Sequence, residues 1–201
     1  MLPPLRRGRA AGRLRLSPGV EGAVTDYYRL PMGRRAPEIV NVVVEIPAGG
    51  NNKYEYDPKL GVFKLDRTLY SPMHYPGDYG FIPRTLADDG DALDVVILTT
   101  APSFTGCLIE ARPLGALAMS DDKGEDVKVI AVAESDPRYQ GYHDLGSLPP
   151  HVRRALRHFF EIYKELEGKR VEIAGWMDHA GAIGAIRDSA ALFKKKDRKK
   201  P

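Results

Sequence analysis

EIVNVVVEIP, residues 38–47, is a β-branched run that ends at a proline. Val and Ile carry two heavy atoms on Cβ, which restricts χ1 and suits an extended backbone, and Pro47 has no N–H with which to continue a ladder. The stretch predicts a strand. Outward from it, KYEYD (53–57) and GVFKLDR (61–67) flank DPKLG, a turn with Pro58 and Gly61, and together predict a hairpin. ALDVVILTT (92–100), CLIEARPLGALAM (107–119) and VKVIAVAE (127–134) predict three further strands. Helical periodicity arrives late. LPPHVRRALRHFFEIYKELEG (148–168) opens at Pro150 and closes at Gly168, with Val152, Leu156, Phe159, Tyr163 and Leu166 on one face. RVEIAGW (170–176) predicts a short strand, and DHAGAIGAIRDSAALFKK (178–195) a last helix with Asp178 as its N-cap. Strands first and helices after, without alternation, give an α+β fold around a small closed or nearly closed antiparallel β-barrel, and argue against a doubly wound sheet.

The 201 residues suit one domain with a real core. No apolar run approaches the ~20 residues that span a bilayer. A single cysteine, Cys107, leaves no internal disulfide and no CxxC zinc site, and fits a reducing, cytoplasmic setting. The net charge of +3 hides a division. Residues 1–35 carry +6 and residues 194–200 carry +5, which leaves −8 for residues 36–193. Residues 1–36, dense in Pro, Gly and Arg, are expected to be a flexible basic extension, residues 37–193 a single domain, and residues 194–201 a basic tail. An Arg-rich, acid-poor start also resembles an organellar transit segment, but Ser enrichment and a clear amphipathic period are missing. Met32 stands just ahead of the ordered pattern as an alternative start.

Chemistry concentrates in the connections. DGDALD (89–94) puts Asp89, Asp91 and Asp94 immediately before the apolar run VVIL. In an extended chain Asp89 and Asp91 share a face, and Gly90 permits the bend that would bring in Asp94. Three carboxylates so close repel one another unless a hard cation offsets them, and all-oxygen ligation selects Mg²⁺, Mn²⁺ or Ca²⁺ over zinc. An EF-hand is excluded, because the sixth loop position is Asp94 rather than Gly and the twelfth is Thr100 rather than Glu. DDKGEDVK (121–128) repeats the theme. Asp121 and Asp126 flank a Gly-containing turn, and Lys128 shares a strand face with Asp126. A carboxylate for a cation beside an ammonium for an anion suits a phosphate-bearing substrate. Glu45 ends the first strand, Lys53 and Glu55 share a face of the second, and Arg67 ends the third, where the two cations could meet one anion. SPMHYPGDYGFIP (71–83) is a rigid Pro/Gly stretch that carries Tyr75 and Tyr79, whose phenols could reach phosphate or plug a barrel end. Tyr163 falls on the apolar helix face with Lys164 beside it. Each motif alone also fits a solvated turn or a surface ion pair; what counts is their joint occurrence at strand ends.

In order and spacing, EIPAGGNNKYE, LDR, YPGDYGFIP, DGDALDV, MSDDKGEDVK and HFFEIYK resemble the family I soluble inorganic pyrophosphatases, from about Val40 to about Trp176. The resemblance implies an OB-like barrel with flanking helices and Mg²⁺-dependent hydrolysis of pyrophosphate to two orthophosphates, in which a metal-bridging water attacks and Asp91 is the general base. It implies Asp89, Asp94 and Asp126 as ligands of the first metal, with Asp94 bridging to a second, and Asp121 and Glu45 as ligands of further ions. Lys53, Arg67, Lys128, Tyr163 and Lys164 match the phosphate-binding set, Tyr79 a tyrosine near substrate and nucleophile, and Glu55 and Tyr75 supporting positions. A homo-oligomer, with a hexamer favoured, is implied as well. Two residues depart from the pattern: Ala92 stands where Pro is usual, and Asp78 where many members have Asn, which would add negative charge near the site. A different reading is an OB-type nucleic-acid-binding protein with basic tails, but an acidic core would repel a phosphate backbone. A Ca²⁺-binding β-module would leave Lys53, Arg67 and Lys128 without a role. No nucleic-acid or membrane partner is expected.

Overall fold

The structure, a computed structural model, describes residues 25–121 and 124–198. Among the described residues eight strands and two α-helices follow one another as β1 Val40–Ile46, β2 Asn52–Asp57, β3 Val62–Thr68, β4 Asp78–Phe81, β5 Asp94–Leu98, β6 Leu108–Asp121, β7 Gly124–Ala133, α1 Pro150–Ile162, β8 Glu172–Met177 and α2 His179–Asp197. β2 and β3 form the expected hairpin as a separate two-stranded sheet. The other strands run in the order β1-β4-β5-β7-β6-β8, and β1 also pairs with β6, so that five of them hydrogen-bond in a closed circuit with β8 outside on β6.

The expectation of a purely antiparallel sheet needs correction, because β5 and β7 are parallel, with Asp94 opposite Lys128. The reason is topological. A closed ring of five strands cannot alternate direction all the way round, so at least one neighbouring pair must run parallel. β4 is a second departure. DYGF lies within the stretch read as a rigid loop, yet it is a fully buried strand between β1 and β5. A Cβ on Gly80 would stand 1.9 Å from the Val43 carbonyl oxygen, so only glycine lets β4 lie this close to β1.

The core is apolar on both sides of the ring wall. Ile46, Val96, Leu117, Ile130 and Leu156 gather with Phe159, Phe160 and Tyr163 on one side, and Val40, Val42, Val95, Ile97, Val129 and Ile186 on the other. Truncating a ring as buried as Phe159, 2% exposed, removes about 3–5 kcal/mol of stability. α1 is shorter than its apolar period suggests. It stops at Ile162, Tyr163 is its C-cap, and a separate 3-10 turn spans Glu165–Glu167 before left-handed Gly168. Leu166, expected on the buried face, is 62% exposed, and Phe160 is buried instead. The chain leaves the helix where Lys164 and Glu167 take tertiary ion-pair partners.

The expected domain limits also shift. Residues 25–36 pack on the domain: Tyr27, Tyr28 and Leu30 join Tyr56 and Phe81, and the Asn41 N–H donates to the Met32 carbonyl at 2.7 Å. At the other end α2, capped by Asp178 as expected, runs on through residues 194–197, so the basic tail begins as helix. The remainder of the expected extension, residues 1–24, and residues 199–201 lie outside the described residues. No helix among the described residues is long and apolar enough to cross a membrane.

Candidate active site

Every residue singled out for the site, apart from Glu45 and Tyr75, lines one cavity of about 310 Å³ at the end of the ring where β5 begins and the β6–β7 hairpin closes. The cavity is assembled from separate pieces of chain. β2 and β3 put Lys53 opposite Arg67. β4 supplies Tyr79, the 87–93 loop Asp89 and Asp91, the start of β5 Asp94, the hairpin Asp121, Asp126 and Lys128, and the end of α1 Tyr163 and Lys164.

The loop needs its glycine for backbone reasons. Gly90 has φ +93°, while a Cβ there would meet nothing within 4 Å. Around it the Ala87 N–H donates to the Asp91 carbonyl at 2.7 Å, and the Asp91 N–H to the Asp89 carboxylate at 3.1 Å. The bend anticipated from sequence is thus a closed turn that turns all three aspartates toward one cavity.

Lys128 is buried and is the electrostatic centre. Its ammonium pairs with Asp94 and lies 2.7 Å from Asp126, and the Tyr79 hydroxyl donates to Asp94 at 2.5 Å. Burial works against the lysine's charge, but Asp94 and Asp126 outweigh it and hold the pKa far above its ordinary value. Burial, with the charges of Asp94 and Asp89, raises the Asp126 pKa against the pull of Lys128. Tyr79 is pushed well up, by burial first and the Asp94 charge second, so its phenol stays a donor. Across the cavity Lys164 meets Asp121 at 2.5 Å, Lys53 pairs with Glu55, and the Arg67 guanidinium reaches Asp66 at 2.5 Å and Glu167 at 2.8 Å.

Glu45 faces an adjoining cavity shared with Lys53, Asp91 and Asp94. Its carboxylate accepts the Tyr56 N–H at 2.9 Å, and burial, aided by Asp94 and Glu55, pushes its pKa up to about 8. Tyr75 stands behind the site, its ring 5.3 Å from that of Tyr79 and 4.9 Å from that of Phe159. Asp78 is not at the cavity. It is fully buried, and its carboxylate accepts the N–H groups of Ala48 at 2.7 Å and Ser103 at 3.1 Å, where the extra charge serves two loops.

Sequence reading missed Asp66, Glu125 and Lys169 in the cavity wall and Glu167 behind it. Asp66 sits in the quoted LDR motif beside Arg67, a signal that could have found it; nothing local marks Glu167, which is 100 residues from its partner.

The lining tests what the cavity can hold. Among the described residues its charged side chains are eight carboxylates and five cations, with no His and no Cys. An excess of negative charge on oxygen donors alone fits a hard divalent cation and not a soft one. Among the described residues no three potential ligands stand in a ready metal-holding geometry; Asp94 and Asp126 pair with Lys128, and Asp121 with Lys164.

Carboxylates for hard cations, interleaved with cations for an anion, make up the site of an enzyme that handles phosphate groups through metal ions. The family model for inorganic pyrophosphatase matches residues 42–194. An inorganic pyrophosphatase of Thermus thermophilus is 49% identical over 168 residues, 82% of this chain and 96% of the relative. One of Sulfolobus acidocaldarius is 51% identical over 151 residues, 74% of this chain and 87% of the relative. The crystal structure of inorganic pyrophosphatase from Thermus thermophilus superposes with a TM-score of 0.83 at 47% identity, over 85% of this chain and 99% of that one. The chain belongs to the inorganic pyrophosphatase family, in its soluble family I branch. Membership brings with it a divalent metal cofactor and sets aside the nucleic-acid-binding reading.

Proposed function

We propose that this pyrophosphatase hydrolyses inorganic pyrophosphate to two orthophosphates with Mg²⁺ as its metal, through the residues that line the 310 Å³ cavity. The observation that carries the reading is the excess of carboxylates over cations in a lining that still offers Lys53, Arg67, Lys128 and Lys164 to an anion. Pyrophosphate is a polyanion, so an acidic cavity takes it up only together with cations.

Asp89, Asp94 and Asp126 are the residues that would hold the first ions, and Asp121 and Glu45 those that would meet ions arriving from other sides. Mg²⁺ held there would supply Lewis acidity toward the phosphoryl oxygens and make a water more acidic. Asp91 would accept a proton from the attacking water. Lys53, Arg67, Lys128, Tyr163 and Lys164 bind the two phosphates and stabilise the charge that grows on the leaving one. Tyr79 donates to Asp94 and keeps that carboxylate oriented, Glu55 pairs with Lys53 in the cavity wall, and Tyr75 packs on Tyr79 from behind. We read the five-strand circuit as an OB-like barrel, the chain as one catalytic domain with basic segments at its ends, its setting as cytoplasmic and its assembly as a homohexamer.

The test is phosphate release from pyrophosphate with Mg²⁺ and again with EDTA. Rapid release that EDTA abolishes is expected. Equal release in both would exclude the metal-dependent reaction.

A further inference from the structure

The loop that carries Asp91 is a thin partition. Asp91 lines the substrate cavity on one side and a second cavity of about 270 Å³ on the other. A described side chain that borders both the second cavity and the one adjoining the site can brace the loop. The side chain placed to do so is Tyr28. It lines the second cavity together with Leu86, Ala92 and Phe193, and it also lines the space that holds Glu45, Asp91 and Asp94. Tyr28 and Ala92 pack into the same apolar cluster.

Tyr28 is fixed from several directions. Its ring centroid is 4.7 Å from that of Phe81 on β4 and 5.2 Å from that of Tyr56 on β2. Its N–H donates to the Asp26 carboxylate at 3.1 Å, and its carbonyl accepts the Arg84 N–H at 2.8 Å. The next residue, Arg29, pairs with Asp197 at the end of α2 at 2.6 Å, which ties this segment to the far end of the chain. Among the described residues the hydroxyl makes one long contact, 3.5 Å to the Tyr56 carbonyl, so the ring is what the position uses. Burial, followed by the charges of Glu45, Asp91 and Asp94, raises the phenol's pKa, and the wall beside the carboxylates stays uncharged.

We propose that Tyr28 is a positioning residue for the general base: its ring is the stop against which the Asp91 loop rests. The residues just ahead of the family-matched span 42–194 then belong to the catalytic unit. This rests on Asp91 being the base. Displacing a reacting group by about 1 Å can lower a rate by about 100-fold, whereas losing a distant packing contact lowers stability alone.

The experiment compares full-length wild type with Tyr28→Ala, Tyr28→Phe and Asp91→Ala, each assayed with pyrophosphate at saturating Mg²⁺ well below its melting midpoint. Tyr28→Ala is expected to lose about 10- to 100-fold in kcat with KM within about twofold of wild type, and Tyr28→Phe to recover nearly all of it. Hydrogen exchange across residues 87–92 should quicken in Tyr28→Ala and not in Tyr28→Phe. A folded Tyr28→Ala with wild-type kcat and unchanged exchange in that loop would overturn the proposal. So would a loss that only follows the folded fraction. Undiminished turnover in Asp91→Ala would instead remove the base on which the proposal rests, a failure separate from that of Tyr28.

Discussion

Asp94 and Lys128 are register partners in the parallel β5–β7 pair, and their side chains form an ion pair inside the site. The one parallel pair in the ring therefore sets an aspartate and a lysine side by side, and Asp126, two residues before Lys128, closes on the same ammonium at 2.7 Å.

Removing one partner of a buried pair strands the other, which destabilises by about 3–5 kcal/mol. Lys128→Ala should therefore lower the melting midpoint of the metal-free protein by roughly 6–20 °C. Added Mg²⁺ should restore more of the midpoint in the variant than it adds to wild type, because it meets the carboxylates the lysine left. Thermal melts with EDTA and with Mg²⁺ read both effects, and an unchanged metal-free midpoint would contradict the pairing.

Asp78 acts as a clamp between the loops at Ala48 and Ser103. Asp78→Ala leaves two partly buried N–H groups without their acceptor, at most about 1–3 kcal/mol each. Asp78→Asn keeps a carbonyl oxygen there and should be much milder, with KM for pyrophosphate unchanged. Denaturant midpoints together with steady-state kinetics decide; a KM that falls markedly in Asp78→Asn would return Asp78's charge to the site.

Glu167 orients Arg67. The contact is 2.8 Å to Nε, and the Glu167 side chain is only 6% exposed. Hydrogen bonds to charged groups contribute about 1.5–3 kcal/mol, so Glu167→Ala should lower kcat/KM about 10- to 100-fold. The change should appear mainly as a raised KM if Arg67 binds substrate. Kinetics at saturating Mg²⁺ test this, and an unaltered KM would detach Glu167 from substrate binding.

Acid sensitivity follows from carboxylates that cap turns away from the site. Hydrogen bonds from the Leu60 N–H to Asp57, from Thr100 to Asp136 and from Ser147 to Asp144 hold all three pKa values below the usual range. A depressed folded pKa means the unfolded chain takes up protons first, so the stabilisation is fully present above the unfolded value of about 4 and fades as pH falls below it. Melting midpoints from pH 6 down to pH 3 should drop, and the drop should be shallower in Asp144→Asn. An identical slope in that variant would exclude its share.

Much of this was legible in the sequence, for local reasons. β1 announced itself through β-branched residues, the β2–β3 hairpin through Pro58 and Gly61, and α2 through Asp178. The aspartates of DGDALD and the Asp126–Lys128 spacing mark, from sequence alone, residues that line one cavity. What escaped depends on partners far along the chain. β4 hides in a Pro/Gly-rich stretch because Gly80 is there for a close backbone approach, which no local propensity reports. The parallel β5–β7 register follows from closing an odd ring. α1 ends early because Lys164 and Glu167 are claimed by Asp121 and Arg67. Tyr28 has no periodic signal, since its value lies in Phe81, Tyr56 and the Asp91 loop.

In the proposed mechanism Asp91 takes the proton while its neighbours hold the metal. This assignment is tested most directly by measuring Mg²⁺ binding by calorimetry and phosphate release from pyrophosphate side by side, in wild type and Asp91→Ala. The predicted result is near-wild-type Mg²⁺ affinity with turnover reduced about 10²- to 10⁴-fold. Undiminished turnover in a folded, Mg²⁺-bound Asp91→Ala would contradict it.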